Sequence, residues 1–300
     1  MGLFFQPGLA SHSYEAIRDR DHLADMKAFI EQIWSIYAPY ADPGFLEDAK
    51  FHFHQRTWEM YLWYVFKQQG FSPQKVSSAG PEFFIKIGNG KFWIEAIAPE
   101  AGDTADGVPP LPASRRVTSI VPEEKILLRF THAFEKKLKA YTKGREKGVI
   151  GQEDGYIIAI NGWEATGYRP NSKFPLAIKA AIGIGDLVVS VDPTQQTPSQ
   201  WYHQDRAHVL KKSGSTVPTT AFLSTEYEGV SALLYSDIDI VNVRNVSGPL
   251  GSEMYYFHNP MAQNRLSCGV FKFCREYWFV REEGDEGVLY RKDWRTEEVG

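Results

Sequence analysis

Apolar positions along this chain change their spacing in a way that marks out helices and strands in turn. Ile17, Leu23, Met26, Ile30 and Ile33 recur at helical intervals and predict a helix over residues 13–37, ending before Pro39 and Pro43. A second helix is predicted from Phe45 to Gln69, closed by Gly70. The spacing then becomes two. Phe83, Ile85 and Ile87, with Phe92, Ile94, Ala96 and Ala98, form one wholly apolar face of a hairpin. Its other face carries Glu82, Phe84, Lys86, Lys91, Trp93, Glu95 and Ile97. Helical spacing returns after Pro122-Glu123-Glu124, where proline and acids open a helix that runs to about Tyr141. Its stripe is Leu127, Phe130, Phe134, Leu138 and Tyr141. The continuous apolar run Gly155–Asn161 predicts a central strand covered on both faces. Further strands are expected at Leu187–Val191, Val230–Val243, Glu253–His258 and Gly269–Phe273, with a charged, peripheral tail from Arg281.

These elements predict an α/β fold, a mixed central sheet flanked by helices. No repeat, and no break in composition, divides the chain, so residues 1–300 read as one domain. Its core motifs lie at about 45–165, and strands within about 175–280 complete the sheet. The segment from Gly102 to Arg116 reads as a loop rich in Gly, Pro and Asp.

The Gly88-Asn89-Gly90 turn decides how close Glu82 and Glu95 come. With Gly88-Asn89 as a two-residue loop the acids face each other at about 5 Å. With Asn89-Gly90, the stronger hairpin dipeptide, they are diagonal neighbours at roughly 7–8 Å. A regular three-residue loop puts them on opposite faces unless a bulge restores the phase. Facing carboxylates repel unless they are solvated, share a proton or hold a cation. The plain alternative is a hairpin whose outer face is charged to protect an edge.

Composition narrows the partners. Of 300 residues 14% are aromatic and the net charge is −4, so any nucleic-acid binding must rest on a local patch. Such a patch exists at Lys136, Lys137, Lys139, Lys143, Arg145 and Lys147, against the single acid Glu146. An exposed, basic helix end has the same composition. Cys268 and Cys274 lie six apart in a strand-like run, too far along an extended chain to bridge, and read as buried thiols of a reducing compartment. Neither a secretory leader nor a membrane-length apolar run is read, so a cytoplasmic location without membrane association is expected.

Glu59 is the only charge in Trp58-Glu-Met-Tyr-Leu-Trp-Tyr-Val-Phe66, about 60° around the helix from Leu62. It either reaches solvent or enters a polar site under the helix. A helix acid, a strand-start acid after Pro81, and the acid ending Trp93-Ile-Glu95 then stand in a fixed order. That order resembles the PD-(D/E)XK nuclease superfamily and its restriction-endonuclease-like fold. Pro81-Glu82 matches the Pro-Asp motif, Glu95-Ala96-Ile97 the Glu-x-Lys motif, and Glu59 the helix acid.

The resemblance implies a metal-dependent nuclease that hydrolyses phosphodiester bonds, with DNA as the foremost partner through the Lys136–Lys147 patch. It implies Mg²⁺ or Mn²⁺ on Glu82, Glu95 and the Ala96 carbonyl, which suits a cation that prefers oxygen ligands. Two departures stand out: Glu82 replaces the usual Asp, and Ile97 fills the lysine position. Lys86 and Lys91 share the acids' face but sit roughly 13 Å away. Lys125 and Arg129, on the face of the following helix opposite its stripe, are the candidates for a substitute cation. Two other readings stay open: a catalytically degenerate binding protein of the same fold, and an unrelated α/β scaffold. Other motifs carry less: His52 and His54 share a face only if extended, His203 and His208 lack zinc spacing, Gly183-Ile-Gly185 lacks a third glycine, and His258-Asn259-Pro260 reads as a structural turn.

Overall fold

The structure is a computed structural model and describes residues 2–76, 80–103, 105–110, 120–166, 174–191, 194, 198–282 and 287–294. The first predicted helix is two, α1 (His12–Asp19) and α2 (Ala24–Tyr37), separated by a short 3-10 turn at Asp21–Leu23. The second also divides, into α3 (Phe45–Phe51) and α4 (Phe53–Gln68), where His52 leaves helical geometry at φ −110° and ψ 49°. Gly70 follows with φ +85°, a left-handed stop that suits glycine.

Two strands then pair antiparallel, β1 (Phe83–Ile87) and β2 (Gly90–Ile97). Helix α5 (Glu123–Glu146) crosses over to β3 (Gly155–Asn161), which lies parallel to β2. The short helices α6 (Trp163–Thr166) and α7 (Leu176–Ile182) follow. Next come two separate hairpins outside the main sheet: β4 (Ile184–Val191) with β5 (Pro198–Asp205), and β6 (His208–Leu210) with β7 (Thr216–Pro218). The expected Leu187–Val191 strand is therefore part of a hairpin and not of the central sheet.

That sheet is completed by β8 (Ala232–Ser236), β9 (Tyr255–His258), β10 (Arg275–Arg281) and β11 (Gly287–Asp293). Its seven strands run in the order β1-β2-β3-β8-β9-β10-β11, mixed parallel and antiparallel. Two expectations change here. Gly269–Phe273 is not a strand, and the charged tail supplies β11 at the sheet edge, with the Trp278 and Tyr290 rings stacked across the β10–β11 pair. Charge on an edge strand protects its open side, which is why the tail's composition hides it. The part of the Gly102–Arg116 loop beyond Pro110 lies outside the described residues.

Alternation in β1 and β2 sorts the core into two layers. Phe83, Ile85, Ile94 and Ala96 join Trp58, Leu62 and Phe66 of α4 on one face. Phe84, Trp93 and Ile97 join Leu127, Phe130 and Phe134 of α5 on the other. Because both faces are covered, β3 is buried along its whole length. Helix α4 is itself enclosed between the sheet and the preceding helices, so every residue from Thr57 to Phe66 is buried, Glu59 included.

Candidate active site

The hairpin register identifies the loop that joins its strands. Ile87 pairs with Gly90 and Phe83 with Ile94, so Gly88-Asn89 is a two-residue loop, with Gly88 at φ +58°. The paired register ends at Phe83 and Ile94, and Glu82 sits at the bend just before β1, within electrostatic reach of Glu95. Glu95 lies on the α5 side, in phase with Trp93 and Ile97, and is buried. Lys137 of α5 meets it there, with Nζ 2.5 Å from Oε1, and both side chains keep only 11% exposure. Tyr156 of β3 fixes the same helix turn by donating its hydroxyl to the Lys137 carbonyl at 3.2 Å.

Glu59 arrives from the opposite layer. Its Oε1 accepts from Gln55 Nε2 at 2.8 Å, and Arg56 Nη1 donates to both carboxylate oxygens at 3.1 and 2.8 Å. Arg56 is anchored in turn by Asp48, 2.5 Å from Nε. Gln55 also reaches the end of β2: its Nε2 lies 3.3 Å from the Ala96 carbonyl, and its Oε1 accepts the Ala98 N–H at 2.7 Å. One amide therefore ties α4, Glu59 and the site strand together.

Electrostatics join the three acids into one cluster. Burial first, and then the charges of Glu59 and Glu95, hold the Glu82 carboxyl well above the ordinary carboxylate range, while Lys137 and Arg56 pull the other way. Glu82 keeps some residual exposure as a whole residue, but its carboxyl is the desolvated end. Among the described residues no hydrogen-bond donor or cation is paired with it. Glu59 is also raised, by burial, against the opposing pull of Arg56, Gln55 and Lys137. Tyr156 is pushed up by burial and then by Glu95 and Glu82. Arg56 is shared between Glu59 and Asp48 and Lys137 is held by Glu95, so neither cation is left over for Glu82. Ionising Glu82 adds a further negative charge to this buried group of acids, which is unfavourable without a compensating partner.

The sequence candidates are thus brought together in part. Glu59, Glu82, Glu95 and the Ala96 carbonyl converge. Lys125 and Arg129 are engaged elsewhere: Lys125 Nζ donates to the Ala105 carbonyl at 3.2 Å, and Arg129 Nε to the Glu100 carbonyl at 2.8 Å. They hold the segment after β2 against α5. Ile97 is buried in the α5 layer. Lys91 lies over the rings of Trp93 and Phe84, 4.0 and 4.4 Å from their centroids.

Sequence reading missed Lys137, Gln55 and Arg56 as site residues. Lys137 had a signal: it stands three, four and seven residues after Phe134, Ala133 and Phe130, on the buried stripe of α5. The basic run is consequently divided. Lys137 points inward, Lys139 pairs with Glu135 at 2.6 Å, Arg145 donates to the Ile150 carbonyl, and Lys136, Lys143 and Lys147 are exposed.

A cavity of about 230 Å³ opens beside the cluster at Gln55 and Ala98, at the carboxyl end of β2, with His54 and Glu164 on its wall. His54 stands between Glu164 and Asp239, at 3.7 and 3.8 Å.

The fold and the site define an α/β protein with a seven-stranded mixed sheet and a buried three-carboxylate, one-lysine cluster at one side of it. Compared with family profiles, with curated proteins and with solved structures, the chain matches none. Among the described residues no helix is long and apolar enough to cross a membrane.

Proposed function

We propose that this chain is a metal-dependent nuclease of the PD-(D/E)XK type, with a restriction-endonuclease-like fold, hydrolysing phosphodiester bonds of nucleic acid, DNA foremost. The observation that carries the reading is Glu82: a desolvated carboxyl that feels the charges of Glu59 and Glu95, with no partner among the described residues. Such a group is stabilised by a proton or by a cation. The order of helix acid, antiparallel hairpin, crossover helix and parallel strand supports the same reading.

Glu82, Glu95 and the Ala96 carbonyl are the oxygen donors that would hold Mg²⁺ or Mn²⁺. When bound, the metal supplies positive charge at the scissile phosphate and a water of lowered pKa. Lys137 supplies the cation missing at Ile97. From α5 it holds Glu95 in place and offsets negative charge developing on the phosphate. Arg56 and Gln55 hold the Glu59 carboxyl in place, and Gln55 fixes the end of β2. Exposed Lys136 and Lys143 lie on the same helix and Lys147 caps its end, available to phosphates of the nucleic-acid backbone.

One contact favours the degenerate-site alternative. Gln55 already occupies the Ala96 carbonyl, so a metal must displace that contact or share the oxygen with it. The test is incubation of plasmid and single-stranded DNA with Mg²⁺ or Mn²⁺, beside Glu95→Ala. Cleavage by the wild type that the variant lacks supports the nuclease. Metal-induced thermal stabilisation without cleavage supports the degenerate site. Neither cleavage nor stabilisation overturns both.

A further inference from the structure

A second cluster of ligating side chains lies at the far side of the sheet, independent of the three-glutamate site. His258 ends β9, Glu276 lies on the parallel neighbour β10, and Cys268 comes from the connection between them. The β9–β10 register pairs Glu276 with Tyr256, two residues before His258, so both side chains emerge on the same face. Glu276 Oε1 is 2.6 Å from His258 Nε2, and Cys268 Sγ is 3.8 Å from that same nitrogen. The three ligand atoms all lie within 4.8 Å of one another. Cys268 is exposed, contrary to the buried thiol expected, because the chain turns at Gly269 instead of running on as a strand. Gly269 has φ +78°, and a Cβ there would approach the Trp294 ring at 3.1 Å, so the turn suits glycine.

We propose that His258, Cys268 and Glu276 form a metal site for a borderline divalent cation, Zn²⁺ by preference. Three features carry this. First, the contacts converge on one nitrogen. A nucleophilic relay needs the carboxylate on Nδ1 and the thiol on Nε2, whereas here both address Nε2, leaving Nδ1 free to carry the imidazole proton. Second, the spacing is close to that of a tetrahedral zinc. Zn–S of about 2.3 Å and Zn–N of about 2.0–2.1 Å set S···N near roughly 3.6 Å, against 3.8 Å observed. The His258–Glu276 contact opens by roughly 0.8 Å when the metal replaces the shared proton.

Third, the carboxylate is prepared as a ligand. Its other oxygen, Oε2, accepts the Gly269 N–H at 2.9 Å and Trp294 Nε1 at 2.5 Å, which leaves Oε1 to the cation. Supporting bonds of this kind orient metal ligands. One thiolate and one carboxylate balance a divalent charge, and sulfur and imidazole disfavour Mg²⁺ and Ca²⁺. With Cys268 at the surface, water takes the fourth position. Metal binding releases the thiol proton and clamps the 259–274 connection onto β9 and β10.

The test is titration of the metal-free full chain with Co²⁺ as a spectroscopic stand-in for Zn²⁺. The proposal expects tetrahedral visible absorption and a thiolate-to-cobalt charge-transfer band in the near ultraviolet, saturating at one equivalent and bleached by Zn²⁺. Cys268→Ser, an exposed and conservative change, removes the charge-transfer band. His258→Ala weakens Co²⁺ binding by more than about tenfold, a loss already typical of disturbing a supporting residue. Glu82→Gln keeps the band, which separates this site from the one under Proposed function. A wild type without a thiolate band overturns the proposal, and so does a band that Cys268→Ser retains.

Discussion

Lys137→Met removes the ammonium from the Glu95 pair and keeps a long apolar stem in the α5 layer. The pair is buried and its contact is 2.5 Å. Taking away one partner of a buried ion pair leaves an uncompensated charge and costs about 3–5 kcal/mol. The residual 11% exposure of both side chains places this case at the lower end. For a chain of this size roughly 2 °C accompanies each kcal/mol, so melting falls by about 6 °C. Adding Glu95→Gln removes the stranded charge. The double variant is therefore more stable than Lys137→Met alone, with a coupling within about 0.5–3 kcal/mol. The assay is thermal and urea unfolding followed by circular dichroism, in chelator so that no cation intervenes. A Lys137→Met protein within about 0.5 kcal/mol of the wild type, or single effects that simply add, would refute the buried-pair argument. On the proposed activity, the same variant lowers cleavage by about 10²–10³, the scale of losing one group that stabilises transition-state charge.

Other outcomes follow from the same geometry. Glu82 is raised in the folded state, so the folded protein keeps a proton that the unfolded chain releases above the ordinary carboxylate range. Its contribution is full below that range and is lost as pH rises toward the raised value. The difference in melting temperature between the wild type and Glu82→Gln, followed across that window in chelator, should move against the wild type as pH rises; a constant difference would contradict the raised carboxyl. Gln55→Leu strips the Ala98 N–H of its acceptor and Glu59 of a donor, costing about 1–3 kcal/mol; unchanged urea stability and unchanged amide exchange at Ala98 would count against the stitching role. Gly155→Ala puts a methyl 2.2 Å from the Phe92 ring and should destabilise by about 1–3 kcal/mol through overpacking, read from the urea midpoint.

Much of the sheet was legible because alternation and apolar runs are local signals. The hairpin faces, the α5 stripe and the buried β3 follow from spacing alone. The two-residue loop was one of three open options, since Gly88-Asn89 and Asn89-Gly90 differ only by register. Glu59 read as a border residue because a helical wheel shows one stripe. Tertiary packing of α1–α3 on one side and the sheet on the other buried all of α4 from Thr57 to Phe66. Lys137 was hidden in a basic run whose charge suggested solvent, although its spacing from Phe130, Ala133 and Phe134 placed it on the stripe. Lys125 and Arg129 attract attention by charge, but their partners are backbone carbonyls of a loop whose path no periodicity foretells. The His258, Cys268 and Glu276 cluster joins residues 10 and 18 apart through a left-handed turn and a parallel strand pair. Spacing in sequence does not announce such a meeting.

The central claim, a divalent-cation site on Glu82 and Glu95, is tested most directly by calorimetric titration of Mn²⁺ into the full chain. A Cys268→Ser background keeps the His258 cluster from contributing. One Mn²⁺ is expected to bind, more tightly as pH rises because the Glu82 proton must leave, and Glu82→Gln or Glu95→Gln should each weaken binding by more than about tenfold. An isotherm that is flat in the wild type, or that both glutamine variants reproduce, would contradict the account.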